Sequence, residues 1–266
     1  MGDSLKNVLL YGAGTQSTGL LLMALDGNLA VPDLTIFADT HSEPAFVYKY
    51  LKKVRKYVKE KFNYDITVVF SGVYEAELKQ LTQFPLRRVA SLPLFTANGG
   101  MIRRQCTHEY KIQPITKYIK NKYLITRKKK HSLPIINRWF GMSLDEIERC
   151  RISQDWWAEN RYPLIESRMY RHEVINYINT NHPKLKNPPR SSCYFCPFHT
   201  DNYWRKLKEK HLGEFKKACE IDETVRTNPK LKEKCYLHRS LKPLNKIDFE
   251  KHQLEIFGEC EGYCGI

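Results

Sequence analysis

The groups in this chain best able to do chemistry are its thiols, a short glycine-rich turn, and arginines and lysines set close to both. Cys193-Tyr194-Phe195-Cys196-Pro197 is a thiol pair with metal-binding spacing; Cys106 lies upstream, and Cys260 and Cys264 lie near the end. Folding could gather these five at one place. Four thiolates suit tetrahedral zinc or an iron–sulfur cluster, and spacing alone does not separate these from metal-free thiols. With four ligands committed, a fifth thiol could act as nucleophile or carry a persulfide. Cys150 and Cys219 fall in helical stretches and read as core or surface residues, and Cys235 has no assignment. No secretory or membrane segment is seen ahead of them, so a reducing, cytoplasmic setting without disulfides or membrane partners is expected.

The second chemical feature is Gly12-Ala13-Gly14-Thr15-Gln16-Ser17-Thr18, which follows the apolar run Val8-Leu9-Leu10 and leads into Gly19-Leu20-Leu21-Leu22. This is a strand, a turn of small residues and a helix start. The two glycines are expected to bend the backbone, while N–H groups, hydroxyls and the helix N-terminus favour an anion. No Gly-Lys-Ser/Thr follows, so it is not a Walker loop, and the third glycine of a dinucleotide fingerprint is missing.

Positioning falls to alternating strands and helices. Leu34 to Ala38 reads as a second strand ending in Asp39-Thr40-His41-Ser42-Glu43-Pro44. Pro44 suits the first turn of a helix with Val47, Leu51, Val54 and Val58 on its apolar face. Ile66 to Phe70 reads as a third strand and Ile135 to Phe140 as a later one. Strand–helix alternation predicts an α/β fold with a parallel sheet and flanking helices, whose ligands sit at the carboxyl ends of the strands. Gly12 and Asp39 then share one rim. Asp39 could hold a ribose hydroxyl or Mg²⁺, or simply cap its own strand end.

Taken together, these stretches resemble the adenosine-phosphosulfate and phosphoadenosine-phosphosulfate (PAPS) reductase branch of the PP-loop ATP pyrophosphatase superfamily. The resemblance rests on the Gly12 to Ser17 loop, Asp39 to Glu43, Arg103-Arg104-Gln105-Cys106 with Lys111, the Cys193/Cys196 pair, and Glu259-Cys260 in the tail. It implies an adenine nucleotide alpha hydrolase-like domain over residues 1–140 and a helical, cysteine-bearing lobe over 141–266. It also implies ATP or a sulfonucleotide as ligand, and a [4Fe-4S] cluster (alternatively Zn²⁺) on Cys106, Cys193, Cys196 and Cys264. Cys260 is then the mobile thiol, though the two tail cysteines could exchange roles. Gln16 stands where the family has an acid, which shifts any Mg²⁺ toward Asp39 or Glu43.

Gly141-Met142-Ser143-Leu144-Asp145-Glu146 reads as a turn and a helix start, with Ser143 and Glu146 as a capping box. Following it, Arg149 and Arg151 resemble the family's phosphate-facing arginines; Lys111 and Arg149 become candidates to neutralise an α-phosphate, with solvated helix-end cations as the alternative. The net charge of +15 exceeds what a small anionic ligand needs. Tyr194, Phe195, Tyr203, Trp204 and Trp156-Trp157 could stack bases, so DNA or tRNA is an expected partner, with ordinary packing as the competing explanation. The expected activity is ATP cleavage to AMP and pyrophosphate that activates a nucleic acid or nucleotide for sulfur transfer, fed by a cysteine desulfurase or a thioredoxin-like donor. A sulfonucleotide reductase releasing sulfite and a non-catalytic nucleic-acid-binding protein are the alternatives.

Overall fold

A computed structural model of the chain describes residues 5–71, 92–126, 134–229, 231 and 233–250. Five parallel strands form one sheet in the spatial order β3-β2-β1-β5-β6: β1 Lys6–Leu10, β2 Leu34–Asp39, β3 Ile66–Phe70, β5 Ile136–Phe140 and β6 Ala158–Arg161. The short strands β4 Phe95–Thr96 and β7 Cys235–Tyr236 pair separately and antiparallel. The order reverses between β1 and β5, which opens a crevice at their carboxyl ends.

Alternation along the strands sends side chains to two cores. Leu9, Phe37 and Trp139 join helices α1 Thr15–Leu25, α2 Ala45–Phe62 and α5 Arg171–Asn181 in one. Val8, Ile36, Ala38 and Ile136 join Ile115 and Ile119 of α3 Gln113–Lys122 and Trp157 in the other. Covering both faces is what an all-parallel sheet requires. Helix α2 buries Val47, Leu51, Val54 and Val58, the positions its spacing selects, and Pro44 is its N-cap. The short helix α4 Pro163–Glu166 precedes α5.

The sheet does not end at residue 140. β6 pairs beside β5, and Val174 and Ile178 of α5 pack into the core of α1, so the expected boundary falls inside this layer. Helices α6 Asp201–Lys210 and α7 Leu212–Arg226 build a further core with Leu92, Leu94, Tyr194, Phe195 and Leu237. Trp204 and Phe195 are fully enclosed there and Trp157 is fully buried under the sheet, so these rings are core rather than a stacking platform. Tyr194 is buried as well, and Tyr203 stacks on His199 with centroids 3.8 Å apart. Of the aromatics expected to stack bases, Trp156 is the exposed one, at 44%. No helix among the described residues is long and apolar enough to cross a membrane.

Candidate nucleotide-binding site and thiol pocket

Helix α1 starts without a side-chain cap: Gly14 is its N-cap and no acidic residue lies in its first turn. The first N–H groups of a helix have no intrahelical acceptor, and the glycine at the N-cap has no side chain to offer them one, which suits this end to an anion. The bend before it differs from the expected one. Neither loop glycine takes a left-handed conformation; Ala13 does, at φ 59°, with its methyl buried in the first core. A Cβ at Gly12 would come no nearer than 3.9 Å to Ser17 Oγ, and one at Gly14 no nearer than 4.0 Å to Pro189 and Ser191. Protein packing therefore does not demand these glycines. Both line a cavity of about 590 Å³ in the β1/β5 crevice, and a side chain there would take space from it.

Thr15, Gln16 and Ser17 also line the cavity, whereas Ala13 and Thr18 do not. Thr18 Oγ1 lies 3.0 Å from Tyr11 Oη behind the loop, and burial raises the Tyr11 phenol well above its ordinary value. Ser17 Oγ accepts from Gly12 N at 3.3 Å and donates to Gly14 O at 3.4 Å, so its hydroxyl ties the turn together. Gly141 sets the height of the loop: a Cβ on it would lie 2.6 Å from Ser17 N and 2.7 Å from Ser17 Cα. The end of β5 and the start of α1 thus touch backbone to backbone.

The walls combine apolar surface from Phe37, Ala38, Ile112, Ile115 and Met142 with five cationic side chains, Lys111, Arg138, Arg151, Arg171 and Arg190. Lys111 is carried by a π-helical turn, His108–Ile112, that runs into α3; its Nζ donates to Glu43 Oε1 at 3.1 Å. Glu43 is fully enclosed, and its other oxygen accepts from Ser191 Oγ at 3.2 Å. Arg138 is spent inside the wall: it donates to Asn160 Oδ1 at 3.1 Å, Asp155 Oδ2 at 2.8 Å and Ser153 Oγ at 2.7 Å. It pins the 151–157 segment, which carries Arg151 to the cavity.

Asp39, Arg149, Ser143 and Glu146 do not line the cavity, and Asp39 has the strand-end role that stood beside ligand binding as its alternative. Asp39 caps its own strand end, accepting from Tyr48 Oη at 2.7 Å and His41 N at 2.8 Å, and it does not line the cavity. Arg149 pairs with Glu146 and likewise lies outside the lining, while Arg151 is part of it. Ser143 and Glu146 form no capping box. The segment Leu144–Arg149 is a 3₁₀ turn without a side-chain cap. Ser143 Oγ instead donates to Asp145 at 2.9 Å, and Glu146 Oε2 accepts from Gln16 Nε2 at 3.0 Å, because the buried Gln16 amide needs partners. Arg138, Arg171 and Arg190 were not singled out from the sequence. They reach the cavity only through tertiary folding, and no spacing relates them to the loop.

A second pocket, about 30 Å³, is lined by Cys106, Cys193 and Cys196 together with Thr107, Ser192, Arg104 and Lys111. Three of the expected thiols thus line one small pocket, and Lys111 lines both cavities. The strand-end segment after β2 meets the cysteine turn directly, Thr40 Oγ1 lying 3.8 Å from Cys193 Sγ and Tyr194 N donating to Ser42 O at 3.0 Å. The donor set suits a thiophilic metal in kind; among the described residues, however, no group of three His, Cys, Asp or Glu is gathered to hold one. Cys260 and Cys264 lie outside the described residues, as does the basic run 127–131. Cys219 is packed against the α6/α7 core, and burial pushes its thiol up to about 11; Cys150 and Cys235 are also raised by burial.

His199 holds the cysteine turn from within. Its Nε2 donates to Cys193 O at 2.8 Å, and since a carbonyl only accepts, Nε2 carries the proton. Burial pushes the imidazole well below its ordinary value, with the nearby Arg190 charge adding to the effect. A base depressed in the folded state leaves stability complete above the unfolded value, about 6.5, and removes it as pH falls below that. Denaturant unfolding should therefore show stability falling by up to about 1.4 kcal/mol per pH unit between about pH 6.5 and 5 from this group, and less in His199→Gln. A pH-independent difference between the two proteins over that range would contradict the assignment.

Comparison with models of known protein families gives no match, and no curated protein matches the chain.

Proposed function

We propose that the chain is a PAPS reductase-like PP-loop enzyme that binds ATP in the crevice cavity, cleaves it to AMP and pyrophosphate, and so activates an acceptor for sulfur transfer. The observation that carries this reading is the shared wall: Lys111 lines both the cationic cavity at the start of α1 and the three-thiol pocket. The polyphosphate lies against the N–H groups at Gly14 to Ser17, where negative charge building on the leaving pyrophosphate meets fixed donors. The adenosine takes the apolar wall of Phe37, Ala38 and Ile115. An acceptor oxygen displaces pyrophosphate from the α-phosphorus, and Lys111 and Arg151, both in the cavity lining, are the proposed holders of the α-phosphate. Sulfur then displaces AMP from the adenylated acceptor.

Cys106, Cys193 and Cys196, with Cys264 as fourth ligand, would hold a [4Fe-4S] cluster or Zn²⁺, which would supply a thiophilic centre; Cys260 is the proposed sulfur-carrying or nucleophilic thiol. A cysteine desulfurase or thioredoxin-like protein is the proposed donor, in the cytoplasm. DNA or tRNA is the proposed acceptor on the strength of the +15 charge, now without most of its stacking aromatics. Reduction of a sulfonucleotide to sulfite is a second reading, favoured by a cavity whose lining, among the described residues, holds five cationic side chains and a single carboxylate.

The experiment is an anaerobic assay of pyrophosphate release from ATP, with and without tRNA or DNA, run beside sulfite release from sulfonucleotides. Acceptor-stimulated pyrophosphate release is the expected result. Sulfite release alone would install the second reading, and neither product would sink both.

A further inference from the structure

Helix α2 has two opposite faces. Val47, Leu51, Val54 and Val58 are buried in the core under the sheet, and the far side is a stripe of lysines. Lys49, Lys52, Lys53, Lys56 and Lys59 recur at i, i+3, i+4, i+7 and i+10, and Arg55 flanks them. All six are exposed, and Glu60 is the one acidic residue of the helix. An ordinary solvated helix face sets opposite charges four residues apart. Here Lys49/Lys53, Lys52/Lys56 and Arg55/Lys59 are like-charge pairs at that spacing, an arrangement that destabilises a helix unless an anion lies on it. Lys56 pairs with Glu60 at 3.7 Å and Lys59 with Asp65 at 2.8 Å, and pairs this exposed are worth little. Among the described residues, no carboxylate pairs with Lys49, Lys52, Lys53 or Arg55.

The shape and chemistry of the stripe select its partner. Eighteen residues of helix extend about 27 Å, which covers most of one turn of B-form DNA. An amphipathic helix binds an anionic membrane through its apolar face, and the apolar face of α2 is already buried in protein. A single strand takes aromatic platforms beside the cations, and none of the exposed positions on α2 is aromatic. None carries a hydroxyl or an amide to meet a ribose 2′-hydroxyl, the group by which a protein tells RNA from DNA. What remains is a row of point charges, which suits the phosphates of a duplex and reads no bases. The stripe also starts near the crevice. Pro44, the N-cap of α2, follows Glu43, the carboxylate that holds Lys111 of the cavity wall.

We propose that the outer face of α2 docks the phosphate backbone of duplex DNA without reading its sequence. This deepens the reading above by giving the DNA acceptor a place to lie, and it rests on that reading only for the docked DNA being the acceptor.

The test is a fluorescence-anisotropy titration of the full chain with a labelled DNA duplex about two helical turns long, in two unrelated sequences, beside tRNA, a single DNA strand and phosphatidylserine vesicles. The two duplexes should bind equally and more tightly than the other probes. Lys52→Gln/Lys53→Gln should weaken duplex binding by about tenfold or more and lessen the slope of log K against log salt by about 2, one for each lost phosphate contact. Glutamine matches lysine in helix propensity, so circular dichroism should show α2 intact. Lys216→Gln/Lys217→Gln removes the same charge from an exposed surface of α7 that also carries Glu220 and Glu223, and it should leave affinity and slope unchanged. Equal losses in the two double variants would reduce the effect to net charge and overturn the docking face. Tighter binding of tRNA, single strand or vesicles than of the duplex would overturn duplex DNA as its occupant. The pyrophosphate assay separates this proposal from the reading it deepens. Duplex binding that depends on Lys52 and Lys53, without DNA-stimulated pyrophosphate release, would retain the docking face and remove DNA as acceptor. Equal DNA stimulation of the wild type and the α2 variant would keep the reading and overturn the face.

Discussion

Gly141→Ala is expected to lower ATP affinity by about 10- to 100-fold. The added methyl would stand 2.6 Å from Ser17 N, 2.7 Å from Ser17 Cα and 3.0 Å from Gln16 C, all backbone atoms that no side-chain rotation can move aside. Overpacking of this kind costs about 1–3 kcal/mol, and relief comes only from displacing the first turn of α1, whose N–H groups form the anion site. The same substitution at Gly213 gives the control. Nothing lies within 4 Å of a Cβ there, and the site is the second residue of α7, so Gly213→Ala should leave binding unchanged and should not destabilise the fold. Equal nucleotide affinity for the two variants, with both folded by circular dichroism, would show that the β5–α1 contact does not set the loop.

Lys111→Met is expected to have the largest effect on stability. It removes the partner at 3.1 Å from Glu43, whose side chain is fully enclosed, and leaves a buried carboxylate whose remaining neighbour is the Ser191 hydroxyl. Breaking one side of a buried pair costs about 3–5 kcal/mol, whereas replacing both partners is often close to neutral. Denaturant unfolding should therefore show a large loss for Lys111→Met and recovery of most of it in Lys111→Met/Glu43→Gln. Binding should not recover alongside, because the double variant still lacks a cation on the cavity wall. Restoration of both properties together would mean that Lys111 acts on the nucleotide only by maintaining the fold.

How much of this was readable in the sequence depends on the range of each interaction. Val47, Leu51, Val54 and Val58 are buried where helical spacing puts them, and the strand from Leu34 sits beside β1 with the strand from Ile66 beside it in turn, all parallel as alternation with helices implies. The Gly12 loop was legible because strand, small residues and helix start are contiguous. Arg171 was not, since it reaches the loop by the packing of α5 on α1, where a Cβ on Gly19 would lie 2.2 Å from Val174. Ser143 and Glu146 carry the local signature of a capping box, but Gln16, 127 and 130 residues earlier, takes their oxygens. The aromatic cluster near the cysteine turn failed for a related reason. Ring type and proximity in sequence do not report exposure, and Phe195 and Trp204 were needed to fill the core of the helical lobe.

The central claim is that the β1/β5 crevice binds a nucleotide through its phosphates, and it is tested most directly by titrating the wild-type protein with ATP and with adenosine under the same conditions. The account predicts one ATP per chain, bound at least about tenfold tighter than adenosine, with the gap narrowing as added salt screens the guanidinium and helix-terminus contacts. Equal affinities for ATP and adenosine, or no ATP binding at low salt, would contradict it.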